Sequence, residues 1–130
     1  MIFGTITNGE RSRFPHVNTV WPHTVLPALI SEVVGAAIER YEGYDIGVHL
    51  HSSPQDAVAR VLAAYDAGCR RFDSALGGLG GCPFAQDEMI GNIPTEAVLE
   101  ALKLRHAEPP VTGDLSGLIS IANDMAMQFR

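Results

Sequence analysis

DIGVHLHSSPQDAVARVLAAYDAGCRRFDSA, residues 45–75, passes from one hydrophobic period to another and back. Asp45 to His51 alternates apolar and polar positions, as a half-buried strand does. Ser52-Ser53-Pro54 breaks that run and places Ser53 to cap a helix. From Gln55 to Ala67 the apolar residues Ala57, Val58, Val61, Leu62 and Tyr65 recur at three- and four-residue steps, which predicts a helix with one buried stripe. Ala67-Gly68 ends it, and Cys69 to Ala75 reads as a second short strand.

The same grammar extends on both sides. Upstream, Leu29, Ile30, Val33, Val34, Ala37, Ile38 and Tyr41 mark a helix that starts at Pro27 and stops by Gly43. Downstream, a glycine-rich loop over 77–94 precedes a helix over 95–103, with Glu96 near its start and Lys103 at its end, as the helix dipole favours. A last helix is expected in 114–130, where Leu115, Leu118, Ile119, Ala122, Met125, Ala126 and Phe129 share a face that must bury against something. Short strands alternating with helices imply parallel pairing through right-handed crossovers, so the class is α/β. Two or three such strands cannot close a barrel and would leave unpaired edges. Residues 1–24 show neither period and read as an irregular segment ahead of one domain, 25–130.

Composition narrows the function. A chain of 130 residues with 46% hydrophobic and 18% charged residues can bury a core. Nine basic against fifteen acidic residues give a net charge of −6, which disfavours a nucleic-acid partner. No stretch has the roughly 20 apolar residues of a membrane helix, and no leader pattern opens the chain, so the expected compartment is the cytoplasm. Cys69 and Cys82 make neither a disulfide framework nor a C-x-x-C site.

Three places can carry chemistry. His49 and His51 lie two apart on a strand, so both imidazoles rise from one side and can face one cation. An isolated H-x-H is more often a pair of hydrogen-bonded residues at a strand end, so spacing alone does not select the ligand reading. The loop G-G-L-G-G-C-P-F, 77–84, surrounds Cys82 with glycines that let the backbone approach a ligand; read alone, it is equally a connector with an incidental thiol. In G-N-I-P-T-E, 91–96, the Asn92 oxygen suits a hard cation or a simple turn.

Taken together, V-H-L-H at 48–51, F-D-S-A-L-G-G-L-G-G-C-P-F-A at 72–85 and G-N-I-P-T-E at 91–96 resemble the hydroxymethylglutaryl-CoA lyase family in order and spacing. The similarity covers about residues 44–104, and its most discriminating part is G-L-G-G-C-P-F-A. The resemblance implies the carboxyl-terminal βα units of a (β/α)₈ TIM barrel, with the site at the carboxyl ends of the strands. It implies His49, His51 and Asn92 as ligands of Mg²⁺ or Mn²⁺, Cys82 and His49 as catalytic residues, and Gly78, Gly80 and Gly81 as a loop over an acyl-CoA substrate. The implied reaction cleaves 3-hydroxy-3-methylglutaryl-CoA to acetyl-CoA and acetoacetate.

The sequence departs from the family pattern in three ways. The D-R-E-type motif, which supplies an Arg, a metal-binding Asp and a Glu, is absent from these 130 residues. Ser52 follows H-x-H where many relatives have Asp or Asn. Cys82 and Asn92 stand one position farther apart than in the usual motif. The expectation is therefore a lyase half-site, completed by a second copy or by a chain that supplies the missing half-barrel. Two alternatives remain: a half-barrel acting only in oligomerisation or docking, and a Claisen-type acyltransferase of the same superfamily, against which the G-G-C-P loop argues.

Overall fold

The computed structural model describes residues 4–7, 17–21, 26–80 and 90–128. In chain order it contains β1 (Gly4–Thr7), β2 (Val17–Trp21), α1 (Pro27–Arg40), β3 (Ile46–Ser52), α2 (Ala57–Asp66), β4 (Arg71–Ser74), a 3₁₀ turn (Leu76–Gly78), β5 (Gly91–Asn92), α3 (Thr95–Leu104) and α4 (Ser116–Gln128).

The sheet runs β1-β4-β3-β2. The neighbours β2, β3 and β4 run parallel, with Val48 opposite both Thr19 and Phe72. The helices α1 and α2 are the crossovers that parallel pairing requires. Val48, Leu50 and Phe72 point toward them and join Ile30, Val34, Ala57, Val61, Ala64, Val98 and Ala101 in one core. Each fully buried branched or aromatic side chain contributes about 1.5–3 kcal/mol, so this layer holds the strands in place. Alanines at Ala57, Ala64, Ala97 and Ala101 keep the contact surfaces thin, and the Ser31 hydroxyl ties α1 to α2 by donating to the Ala63 carbonyl at 2.9 Å.

Several expectations need correction. Within 1–24, read as irregular, the described residues include two strands; these are short and pair with distant partners, so no local period betrays them. β1 runs antiparallel along β4, with Thr5 opposite Asp73, so one edge expected to be bare is paired by the chain itself. Ser53 does not cap α2: the helix begins at Ala57 with Asp56 at its cap, and the Ser53 hydroxyl instead donates to Asp56 at 2.9 Å. A turn over Ser53–Asp56 delays the helix. The α4 stripe is partly covered: Ala122 is buried, Leu115, Ile119 and Ala126 are half-buried, and Leu118 and Met125 are exposed. Ile121 and Met127, outside the stripe, are exposed as well, and Phe129 lies outside the described residues. Among the described residues, no helix is long and apolar enough to cross a membrane.

Candidate functional site at the carboxyl ends of β3 and β4

Alternation puts His49 and His51 on the face of β3 opposite Val48 and Leu50, away from the helices. Their Nε2 atoms approach to 3.2 Å, with the rings edge to face. His51 is almost fully buried and its Nδ1 has no hydrogen-bond partner. Its pKa lies below the ordinary value of 6.5, first because burial disfavours the imidazolium and then because His49 is close; the Gly91 backbone acts in the opposite direction.

The chain returns to this point after the glycine-rich loop. Ile93 wedges between the strand ends, its N–H donating to the Leu50 carbonyl at 3.2 Å and its carbonyl accepting from the Ala75 N–H at 3.0 Å. This fixes β5 antiparallel to β3, with Asn92 directly opposite His51. Directly opposed residues share a face, so the amide and the imidazole rise together. The Asn92 side-chain N–H donates to the Leu79 carbonyl at 2.9 Å, and its backbone N–H donates to the Gly80 carbonyl at 3.0 Å.

Gly78 and Gly80 are therefore placed against Asn92. Both have positive φ, +68° and +96°, and a Cβ on either would come within 2.9 Å of Asn92 atoms, the carbonyl oxygen for Gly78 and the side-chain nitrogen for Gly80. Their glycine requirement follows from this close packing. The Glu96 carboxylate, at the start of α3, accepts from the Gly77 N–H at 3.0 and 3.2 Å and anchors the loop from its other side. Gly81 and Cys82 lie outside the described residues.

β4 adds a residue that the sequence motif contained without a role. Asp73 is the register partner of His49, and its carboxylate lies 3.7 Å from His49 Nδ1. Only its alternation phase on a strand of unknown register could have pointed to it. Arg71, two residues toward the strand start and on the same face, pairs with Asp45 at 3.5 Å.

The donor set suits a hard or borderline divalent cation. Two ligands at right angles around an ion with bonds of about 2.1 Å stand about 3 Å apart, close to the spacing of the two Nε2 atoms. Asn92 adds an oxygen on the same face. Among the described residues, no group of three or more His, Cys, Asp or Glu side chains is placed to hold a metal ion.

Comparisons with known proteins bear on the family and the fold. Residues 19–125 match the HMGL-like family model. The chain is 33% identical over 98 residues to an (R)-citramalyl-CoA lyase of Chloroflexus aurantiacus, covering 75% of this chain and 30% of that protein. It is 35% identical over 77 residues to a hydroxymethylglutaryl-CoA lyase of Bacillus subtilis, covering 59% and 25%. Among solved structures, the Bacillus subtilis HMG-CoA lyase superposes with a TM-score of 0.69 at 28% identity, over 85% of this chain and 37% of that one. An HMG-CoA lyase from Acinetobacter baumannii, in complex with coenzyme A and 3-methylmalate, gives 0.67 at 31% identity, over 85% and 35%. The chain thus spans about a third or less of the length of these relatives, and its strand–helix units form part of a TIM barrel. On a match extending over residues 19–125, the chain belongs to the HMGL-like family.

Proposed function

We propose that this chain forms a partial-barrel domain, β1 and β2 included, carrying the cation-binding and glycine-loop half of a carbon–carbon lyase site for 3-hydroxyacyl-CoA thioesters. The observation that carries this reading is the convergence of the His49 and His51 Nε2 atoms, with Asn92 held opposite His51. His49, His51 and Asn92 would hold Mg²⁺ or Mn²⁺. The bound ion would acidify the substrate hydroxyl and hold the substrate oxygens.

The chain's own residues then have separable tasks. His49, the more exposed imidazole, relays the hydroxyl proton. As the bond between C2 and C3 of 3-hydroxy-3-methylglutaryl-CoA breaks, its electron pair passes into the thioester as an enolate, and the C3 oxygen becomes the ketone of acetoacetate. Cys82, in the position of the family's loop thiol, donates the proton that turns the enolate into acetyl-CoA. Gly78 and Gly80, clasped by Asn92, give the loop the shape to close on the thioester. No D-R-E motif occurs in these 130 residues, so the metal-binding carboxylate and the enolate-stabilising Arg of the site would come from outside them.

The test is acetyl-CoA release by the purified chain with Mn²⁺, from 3-hydroxy-3-methylglutaryl-CoA and from (R)-citramalyl-CoA, beside His49→Ala and Cys82→Ala. Turnover with either substrate that is lost in both variants supports the reading and names the substrate. Absence of turnover in folded protein that still binds Mn²⁺ restricts the chain to a half-site.

A second reading is favoured by the exposed Leu118, Ile121, Met125 and Met127 of α4: the half-barrel serves as an oligomerisation or docking module without chemistry of its own. Self-association in size-exclusion chromatography without turnover would support it.

A further inference from the structure

The two nitrogens of the His49 ring face different chemistry. Nε2 lies 3.2 Å from His51 Nε2, whereas Nδ1 lies 3.7 Å from a carboxylate oxygen of Asp73. Asp73 reaches that position because β3 and β4 pair in parallel with His49 opposite Asp73, so both side chains leave the sheet on one face. Both are mostly shielded, at 18% and 13% side-chain exposure, which strengthens their interaction relative to one in open water. Asp73 thus approaches the ring at Nδ1, whereas His51 approaches it at Nε2.

A carboxylate beside one nitrogen of an imidazole favours the tautomer that carries its proton there, and leaves the other nitrogen with a free electron pair. At 3.7 Å the pair stands about an ångström beyond the roughly 2.8 Å of a charge-assisted hydrogen bond. We propose that Asp73 is the positioning residue of His49, holding it as the Nδ1–H tautomer so that Nε2 is presented, bare and in fixed orientation, to a divalent cation. This inference rests on the cation-site reading above. It has a consequence inside the metal-free protein: the proton shared between the two Nε2 atoms must then belong to His51, which donates to His49.

The tautomers are read directly by long-range ¹H–¹⁵N correlation spectra of the metal-free chain. The expected result is a protonated Nδ1 on His49 and a protonated Nε2 on His51. Asp73→Ala is expected to release His49 to mixed tautomers and to weaken Mn²⁺ binding, measured by electron paramagnetic resonance, by about ten- to a hundredfold. Asp73→Glu, which keeps a carboxylate, is expected to restore both. Protonated Nε2 on wild-type His49 would overturn the proposal, as would an Asp73→Ala protein with unchanged tautomers and Mn²⁺ affinity. If Asp73→Ala does not fold, the wild-type spectrum and Asp73→Glu decide the matter. If the wild-type chain binds no Mn²⁺, the cation-site reading fails, while the tautomer spectra still judge the role of Asp73.

Discussion

His51 and Asn92 are cross-strand partners at the end of β3, forty-one positions apart in sequence and on one face of the sheet. The wedge of Ile93 between Leu50 and Ala75 creates this pairing, which sets Asn92 across from a histidine pair whose Nε2 atoms lie 3.2 Å apart. Removing one nitrogen should therefore damage cation binding while leaving the core layer intact. His49→Ala and His51→Ala are each expected to weaken Mn²⁺ binding at least about tenfold, by titration calorimetry, without loss of far-ultraviolet circular dichroism. Unchanged affinity in both variants would remove the basis for the cation site.

Asn92 has two separable duties, because its side-chain nitrogen holds the Leu79 carbonyl while its oxygen is the candidate ligand. Asn92→Asp keeps an oxygen donor and replaces the N–H donor by a second acceptor facing that carbonyl. Loss of a mostly buried hydrogen bond costs about 1–3 kcal/mol. The expected variant binds Mn²⁺ at least as well as wild type but is cut faster by protease in the 77–94 loop. Equal loop protection in the two proteins would show that the clasp is dispensable.

Gly78→Ala places a Cβ 2.9 Å from the Asn92 carbonyl oxygen at a φ of +68°. Backbone strain and the displaced contact together predict a loss of about 1–3 kcal/mol in urea unfolding. Because β5 must move to relieve the contact, Mn²⁺ affinity should fall as well. A variant as stable as wild type would mean that the loop yields freely.

Cys69 is buried, and burial pushes its thiol up to about 11 from 9.0, with the Arg71 backbone partly opposing the shift. The folded protein holds the proton more tightly than the unfolded chain, so this stability is full below pH 9.0 and is lost as pH rises through about 11. The linked loss is at most about 3 kcal/mol. Urea midpoints should fall over that alkaline range and fall less in Cys69→Ala. In native protein at neutral pH, Cys69 should resist iodoacetamide, as mass spectrometry of its peptide would report.

How much of this was legible before the fold is clearest from single residues. Periods of 2 and 3.6 are local properties of the chain, so β3, β4, α1, α2 and α3 could be read from the spacing of apolar residues alone, with ends displaced by a few positions. The shared face of His49 and His51 is also local, because residues two apart on a strand point the same way. Motif order carried the family, and with it the part of a barrel that these residues build.

Register is not local. Whether His49 faces Asp73, and His51 faces Asn92, depends on how distant segments slide along one another, and that is set by packing of Val48, Leu50, Phe72 and Ile93 in the core. The same applies to β1 and β2, too short to show a period and defined only by partners far along the chain. An apolar stripe states that a helix can be buried, not what covers it, which is why α4 was recognisable in sequence and its exposure was not. Sequence thus determined the longer elements, the family, the histidine pair and the candidate amide and glycines; tertiary structure decided that Asp73 stands beside that pair and how Asn92, Gly78 and Gly80 pack together, because those contacts exist only after long-range strand pairing has been chosen.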